Sequence, residues 1–290
     1  MQFKIVTDSS CNLPDEMIEQ YDLEILPLRF MVDGETFQSY RKGEKSDLAK
    51  FYAMMRAGKV VTTSLPNMAE SEELVRGLLE DGNDVYYIGF DSAISGTYGA
   101  TAALLDNLAA EYPDRKIFHT DTLSASGGQG ILVLRAARLA EGGAPIEEVR
   151  DWVEANKMGI GHWFTVDDLM YLFRGGRVTR TSAWAGTLLN VKPVLHVDDA
   201  GNLIPMEKVM GRKKSILALL KHIKESATQP YSEQTVFINH GDCLEDAQLL
   251  RDKIKETLGI EDITIGVIDP VIGAHTGPGI LALFFFANGR

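Results

Sequence analysis

The sequence predicts an α/β protein with a mainly parallel sheet and helices on both of its faces. Apolar segments of strand length alternate with amphipathic segments of helix length along most of the chain, which is typical of strand–helix–strand units. Polar loops follow several of these strands. The chain has 290 residues, of which 45% are hydrophobic and 24% charged. This length favours two domains over one, and we expect them to cover residues 1–158 and 159–290.

In the first half, local signals define each element. Pro14 lies early in a segment with a helix-start pattern. Ser46 or Asp47 is expected to cap the next helix, which Gly58 ends. Pro66 disfavours helix at Leu65, so the preceding strand runs into a turn. The predicted strands are 3–7, 24–32, 60–64, 84–90 and 116–121, and the predicted helices lie within 12–22, 46–58, 69–82, 95–112 and 124–143.

The second half is less regular. A turn at Asp199-Ala200-Gly201 is expected to join two strands, and the segment that follows is a basic amphipathic helix. The glycine pair at 175–176 is expected to end a helix. The chain closes with two apolar strands around a glycine-rich loop that carries His275. The predicted helices lie within 146–160, 167–178, 212–227 and 243–259, and the predicted strands within 188–209 and 235–242.

Charge and composition exclude several classes of protein. The net charge is −12 and the isoelectric point is near 5.0, which argues against non-specific binding of nucleic acid or anionic membranes. The terminal run "ILALFFFA" is far shorter than the ~20 residues of a membrane-spanning helix. No signal peptide is recognised, and Cys11 and Cys243 have no metal or redox spacing. We therefore expect a cytoplasmic protein without integral membrane association.

Four loops share one pattern, in which small hydroxyl residues or glycines follow a strand and a helix often begins next. They are "TDSS" (7–10), "TTSLP" (62–66), "DSAISGTYG" (91–99) and "DTLSASGGQG" (121–130). The carboxyl ends of parallel strands share one edge of a sheet, where ligands usually bind. Hydroxyls and free amides at helix starts bind anions well, although any one of these loops is readily explained as a helix cap.

Other chemistries are weaker interpretations. Ser95 could act as a nucleophile with His275 as base and Asp8 or Asp91 as orienting group, but "AISGT" is not the G-x-S-x-G elbow. "SGGQG" lacks the spacing of a dinucleotide fingerprint.

Metal binding and a functional arginine turn are also weaker interpretations. His119 with Asp121, and His240 with Asp242, have no further ligands at metal-site spacing. "FRGGRV" places Arg174 and Arg177 around a glycine pair, where the simpler interpretation is a basic helix end.

Seven segments occur in order along nearly the whole chain: "TDSSCNLP", "TTSLPN", "SAISGTYGAT", "DTLSASGGQGILV", "DDLMYLFRGGRV", "GTLLNVKPVL" and "IGAHTGPGILAL". Together they resemble the DegV family of bacterial fatty-acid-binding proteins. The resemblance implies a three-layer α/β/α domain with a mainly parallel sheet and a second α/β domain with a mixed sheet. It also implies a long-chain fatty acid buried in a tunnel between the domains.

The resemblance further implies how this ligand is held and used. The carboxylate would be bound by Thr63, Ser95 and His275, and no catalysis or cofactor is expected of the chain itself. Some family members present the acid to an ATP-dependent fatty acid kinase, which forms the acyl phosphate. The expected ligand-binding residues are Thr63, Ser64, Ser95, Gly96, Thr97, His275, Thr276 and Gly277, and the candidate residues for docking a partner are Arg174, Arg177 and Arg212.

Two positions depart from the family pattern. Leu65 stands where glutamine is usual, and Met210 stands where arginine is usual in the segment linked to the kinase, although Arg212 lies nearby. A lipid ligand is also physically reasonable. Each methylene buried in the tunnel contributes roughly 0.8 kcal/mol to binding, and the head group needs only a few hydrogen-bond donors. A serine-dependent acyl hydrolase and a lipid-responsive sensor remain the alternatives.

Overall fold

The computed structural model describes residues 3–44, 46–179 and 190–290. The described residues form three sheets, with strand orders β2-β1-β6-β7, β4-β3-β5 and β10-β9-β8-β13-β11-β12. The strands are β1 (Phe3–Asp8), β2 (Glu24–Leu26), β3 (Arg29–Val32), β4 (Glu35–Gln38), β5 (Val61–Ser64), β6 (Asp84–Gly89), β7 (Ile117–Asp121), β8 (Ile160–Thr165), β9 (Val191–Val197), β10 (Leu203–Met210), β11 (Val236–His240), β12 (Ile263–Val267) and β13 (Leu281–Phe286).

Several helices are capped by a side chain that accepts a hydrogen bond from a free amide in the first turn. Asp47 accepts from the amide of Lys50, which confirms one of the two expected caps of the second helix. Asn67 accepts in the same way from the amide of Ala69 at the start of the third helix. The helices are α1 (Asp15–Gln20), α2 (Leu48–Arg56), α3 (Met68–Glu80), α4 (Thr97–Glu111), α5 (Gly127–Glu141), α6 (Ile146–Asn156), α7 (Met170–Arg174), α8 (Arg212–Ser226), α9 (Leu244–Leu258) and α10 (Pro270–Thr276).

The four-stranded sheet is parallel throughout and forms the middle of three layers. Val6, Val85 and Tyr87 pack with α3 and α4 on one face. Ile5 and Tyr86 pack with α5 and α6 on the other. Alternate residues of each strand are thus buried on opposite sides, as the sequence pattern predicts.

The six-stranded sheet is mixed, because β11 and β12 are parallel whereas the other pairs are antiparallel. Helices α8 and α9 cover one face. Helix α5 packs on the other face and also on the parallel sheet. The predicted fold class is therefore confirmed. The division at residue 158 stays a prediction, since α5 contributes to the packing of both sheets.

Helix α5 approaches its neighbours closely through the glycines of "SGGQG". A Cβ at Gly127 would lie 2.6 Å from Cβ of Phe237, and one at Gly130 would lie 2.7 Å from the carbonyl oxygen of Cys11. These glycines let the helix fit between the two sheets, which explains the motif by packing.

Three local expectations were wrong. The single strand predicted over 24–32 is two strands in different sheets, because the chain leaves the parallel sheet at Pro27, which has no amide hydrogen to donate. Strands β4 and β8 were not predicted. The glycine-rich loop around His275 is the short helix α10, capped by Asp269 with Pro270 in its first turn. The strand predicted from residue 188 begins outside the described residues, which show it over Val191–Val197.

Candidate functional site

A cavity of about 300 Å³ lies among β5, the loop after β6, α7, α10 and the inner faces of β8, β9 and β13. This volume is at the lower end of the ~300–1,000 Å³ that is common for small-molecule sites. Its polar side chains gather mainly at one end, which we call the polar end: Thr63, Ser64, Ser95, Thr97, Arg177, His275 and Thr276. A second group of lining residues lies on β8, β9, β10 and β13 and is called the strand end: Phe164, Val197, Leu203, Ala282 and Phe284 together with His162.

Thr63 and His275 meet at the polar end. Thr63 lies near the end of β5, where it is opposite Phe30 in the antiparallel sheet. Its Oγ1 lies 2.8 Å from Nε2 of His275, so the two form a hydrogen bond. Two residues that are 212 positions apart in the chain thus form one contact on the cavity wall.

The position of His275 depends on the closeness of α7. A Cβ at Gly175 would lie only 2.3 Å from Nδ1 of His275, so the first glycine of "FRGGRV" leaves room for the imidazole ring. Burial, and secondly the positive charge of Arg177, lower the pKa of His275 to about 4. The imidazole is therefore neutral near pH 7 and offers one donor and one acceptor nitrogen.

Ser95, Gly96 and Thr97 form the start of α4 beside this pair. Oγ of Ser95 accepts from the amide of Thr97 at 3.2 Å and lies 2.9 Å from Oγ1 of Thr97. All three residues line the cavity, as does Ser64. The start of a 15-residue helix and two hydroxyls thus face the same space, which suits an anionic group.

The residues of the hydrolase interpretation have other hydrogen-bond partners in the described chain. His275 bonds Thr63, whereas Ser95 bonds Thr97. Asp8 accepts from Tyr87 and from the amide of Phe90 in the core, and Asp91 accepts from the amide of Ala93. The four residues considered for a hydrolase therefore bond to other groups in the described chain.

Thr276 lines the cavity, whereas Gly277 does not. Thr276 lines the cavity, and its hydroxyl donates to the carbonyl of Ile272 at 3.0 Å. Gly277 ends α10 with a φ of 79°, and a Cβ there would lie 2.4 Å from Tyr171. Gly277 therefore permits close packing of α7 on α10, and it is not among the residues that line the cavity.

The three candidate docking arginines have different environments. Arg174 is exposed. Arg177 lines the cavity, where its Nε donates to the carbonyl of Ile94 at 2.9 Å. Arg212 pairs with Asp246 at 2.8 Å, next to the exposed Met210. Arg177 thus contributes positive charge to the polar end, which its sequence context did not suggest.

The strand end was missed by the sequence interpretation. Ile280, Ala282 and Phe284 line the cavity as alternate residues, and Phe164 on β8 is opposite Ala282. The alternation in "GHWFTV" (161–166) was the available signal, but without the register to β13 it does not indicate a ligand wall.

The pairs considered for metal binding are separate from this cavity. His119 lies 2.9 Å from the hydroxyl of Tyr98 and 3.2 Å from Asp106, and His240 accepts from the amide of Cys243. Within residues 3–44, 46–179 and 190–290, no group of three or more His, Cys, Asp or Glu side chains is arranged to hold a metal ion. No helix in the same ranges is long and apolar enough to cross a bilayer.

Fold and site together define a class of α/β protein with a small-molecule cavity between its sheets. Comparison with known proteins identifies the family. The sequence profile of the DegV family, whose members are described as uncharacterised, matches residues 2–288. A DegV domain-containing protein of Clostridium perfringens is 40% identical over 287 residues, covering 99% of this chain and 98% of the relative. The chain therefore belongs to the DegV family.

Two solved structures share the whole architecture. A fatty-acid-binding DegV family protein from Thermus thermophilus has a TM-score of 0.86 and 28% identity, covering 99% of this chain and 100% of that one. A stearic acid-binding protein from Eubacterium ventriosum has a TM-score of 0.86 and 26% identity, covering 98% of both chains. The resemblance stated from the sequence motifs is confirmed.

Proposed function

We propose that this protein binds one long-chain fatty acid in the cavity and carries it to a fatty acid kinase in the cytoplasm. The carboxylate occupies the polar end and the acyl chain lies along the strand end, between the predicted domains. The observation that carries this proposal is the Thr63–His275 hydrogen bond beside a wall of apolar strand residues. The fatty acids bound by the Thermus and Eubacterium relatives support it.

The head group is held mainly by neutral donors in this proposal. The hydroxyls of Thr63 and Ser95 turn towards the carboxylate, and His275 donates from a ring nitrogen. Arg177 adds a favourable field from the cavity wall, and hydrogen bonds to a charged group are each worth roughly 1.5–3 kcal/mol. A carboxylate beside His275 raises its pKa from about 4 towards the ordinary value.

The proposal assigns no turnover and no cofactor to the protein itself. Delivery requires a surface that the kinase recognises. Arg174 is the most accessible of the three candidate arginines, because Arg212 is paired with Asp246 and Arg177 lines the cavity. Replacing Arg174 by alanine is expected to slow transfer of the bound acid to the kinase, measured as acyl phosphate formed with ATP.

The first test is mass spectrometry of the purified protein, native and then after extraction with organic solvent, followed by titration with octadecanoic acid. The double variant Thr63→Val/Ser95→Ala removes two donors and should weaken octadecanoic acid binding at least ~10-fold. The matched control is Thr62→Val/Ser92→Ala, which changes exposed hydroxyl residues on the same strand and loop. Equal affinity of the wild type and the first double variant would contradict the head-group assignment.

A further inference from the structure

Arg290, which follows β13, is a partly buried arginine whose side chain connects three loops. Its Nη1 donates to the carbonyl of Asp198 at 3.2 Å, in the turn between β9 and β10. Its Nη2 lies 3.2 Å from the carbonyls of Thr122 and Lys157 and 3.1 Å from the hydroxyl of Ser124. One guanidinium thus contacts the loop after β7, the segment after α6 and the turn between β9 and β10.

Two of these loops continue into the wall of the cavity. Ala125 and Ser126 lie in the loop after β7, and both line the cavity. Val197 and Leu203 flank the turn between β9 and β10, and they line it as well. Arg290 therefore holds a wall segment that follows the four-stranded sheet against one that belongs to the six-stranded sheet.

Asp91 is a fully buried carboxylate at the same junction. It lies at the start of the loop after β6, and its backbone carbonyl accepts from the amide of Ser95 at 3.1 Å. A Cβ at Gly201 would lie 2.4 Å from Oδ1 of Asp91, so the turn between β9 and β10 packs directly on this carboxylate. The loop that carries Ser95 and the turn held by Arg290 thus meet at Asp91.

The carboxylate of Asp91 has only part of the hydrogen bonding that an ionised group needs. Oδ1 accepts from the amide of Ala93 at 2.9 Å. Oδ2 is buried and has no hydrogen-bond partner among the described residues, and the same is true of Nε of Arg290. A charge on this carboxylate is therefore poorly solvated as long as the turn covers it.

The charged groups around Asp91 come from the neighbouring strand, the turn and the segment after β13. Burial raises the pKa of Asp91 to about 7, and the charges of Asp121 on β7 and Asp198 in the turn add to the rise. The charge of Arg290 acts in the opposite direction, and Asp199 in the turn acts on Arg290 in turn. Asp91 therefore changes its charge near neutral pH while it is enclosed.

We propose that Arg290 is a clasp that keeps the cavity closed around its ligand, and that Asp91 makes this clasp loosen as the pH rises above neutrality. The inference rests on the proposed fatty-acid binding and deepens it by naming how release is regulated. When Asp91 loses its proton, the enclosed charge favours separation of the turn from the loop after β6, because water then reaches the carboxylate. That separation opens the wall between the two sheets and lets the ligand leave.

The test measures how fast parinaric acid, a fluorescent fatty acid, leaves the protein after excess oleic acid is added in a stopped-flow instrument. Asp91 has a pKa of about 7 when enclosed and its ordinary value when exposed, so opening can be at most ~10-fold more favourable at pH 8 than at pH 6. The wild type should release the probe about 3- to 10-fold faster at pH 8. Asp91→Asn has the same shape but cannot ionise, so its release should lose this pH dependence.

A second variant tests the clasp itself. Arg290→Gln removes the branched guanidinium and should release parinaric acid at least ~3-fold faster than the wild type at pH 6, where the clasp is closed. Arg115→Gln is the matched control, because Arg115 also donates to a backbone carbonyl, that of Gly82 at 2.7 Å. This contact lies ahead of β6 and β7, at the other edge of the four-stranded sheet, and its loss should leave release unchanged.

Hydrogen exchange of the ligand-free protein reports on the clasp without any fatty acid. The amides of the turn between β9 and β10 should exchange faster in Arg290→Gln than in the wild type at the same pH. At pH 8 they should also exchange faster in the wild type than in Asp91→Asn, and this difference should shrink at pH 6. Comparison at equal pH removes the intrinsic pH dependence of exchange.

The outcomes separate the inference from the proposed function. Equal pH dependence of release in the wild type and Asp91→Asn overturns the inference, and so does release from Arg290→Gln at the wild-type rate. Either result leaves the proposed function standing. Failure of parinaric acid and oleic acid to bind contradicts the proposed function, and exchange of the turn then decides about the clasp. If Asp91→Asn does not fold, the comparison of Arg290→Gln with the wild type decides.

Discussion

The polar end and the strand end of the cavity differ in how their polar groups are satisfied. At the polar end, Thr63 bonds His275 and Ser95 bonds Thr97, so these four side chains already have protein partners. At the strand end, apolar side chains surround one nitrogen of His162 that has none among the described residues. In the proposed function, the polar end would contribute hydrogen bonds to the ligand, whereas the strand end would contribute mainly burial of apolar surface.

This difference indicates where affinity and orientation come from. A carboxylate that enters the polar end exchanges existing hydrogen bonds for new ones, so its net gain is modest. Burial of the acyl chain at the strand end contributes roughly 0.8 kcal/mol per methylene before the cost of ordering. We infer that the strand end supplies most of the affinity, while the polar end fixes the direction of the ligand.

The largest loss of binding is expected when a bulky side chain fills the strand end. Ala282 is 2% exposed and lines the cavity, so Ala282→Trp should exclude about four methylenes and cost about 3 kcal/mol of binding, or ~100-fold. Isothermal titration with octadecanoic and decanoic acids checks this, and the shorter acid should lose less. Equal losses for both acids would show that the chain does not extend past Ala282.

The control for Ala282→Trp is a check that the variant still folds. Overpacking of a core costs typically ~1–3 kcal/mol of stability, so thermal unfolding and circular dichroism must show an intact protein. Ala282→Val offers a smaller change at the same position and should produce an intermediate loss of affinity.

A second prediction concerns the polar end and pH. The pKa of His275 is lowered to about 4 in the folded protein and is ordinary when unfolded, so between pH 6.5 and 4 the unfolded state binds more protons. Stability from neutral His275 is complete above pH 6.5 and is lost as the pH falls through this window. His275→Gln keeps a polar partner for Thr63 but cannot titrate.

Urea unfolding at pH 7.5 and pH 5 measures this effect. The wild type should lose about 1–2 kcal/mol more than His275→Gln between the two values. His162, His196 and His240 also have pKa values lowered by burial, so they too make the protein less stable in acid. Both proteins contain these three residues, so subtracting the two losses of unfolding free energy removes their contribution. Identical pH dependence in both proteins would mean that His275 is not held neutral by its surroundings.

The smallest loss of binding is expected at Gly175, which leaves room for the imidazole of His275. Gly175 has a helical backbone, yet a Cβ there would lie 2.3 Å from Nδ1 of His275. Gly175→Ala should displace the imidazole and weaken octadecanoic acid binding several-fold, about 1 kcal/mol. Gly99→Ala is the matched control, because a Cβ at this position in α4 meets nothing within 4 Å. Unchanged affinity of Gly175→Ala would show that the ring position is unimportant for binding.

Much of the polar end could be predicted from local sequence. Thr63 and Ser64 end strand β5, whereas Ser95 and Thr97 follow β6, and these strand ends are recognisable from the apolar runs and the turns after them. The seven family-like motifs added the expectation that Thr63, Ser95 and His275 share one site, and the structure brings all three to the same cavity.

Other local expectations were wrong because packing overrode them. Residues 24–32 look like one strand, but Pro27 separates β2 from β3 and the two join different sheets. The glycines near His275 look like a loop, but Asp269 caps α10 by accepting from the amides of Val271 and Ile272. Caps and sheet membership depend on neighbours that a single segment does not reveal.

Local sequence is enough to establish the α/β class, the family and the residue types of the polar end, because periodicity and strand-end motifs are local properties. The tertiary structure alone decided the pairing of Thr63 with His275, the entry of Arg177 into the cavity wall and the free nitrogen of His162. These features depend on strand register and on helix packing between residues far apart in the chain. Such contacts form only when the whole core is assembled, since each needs both partners in place.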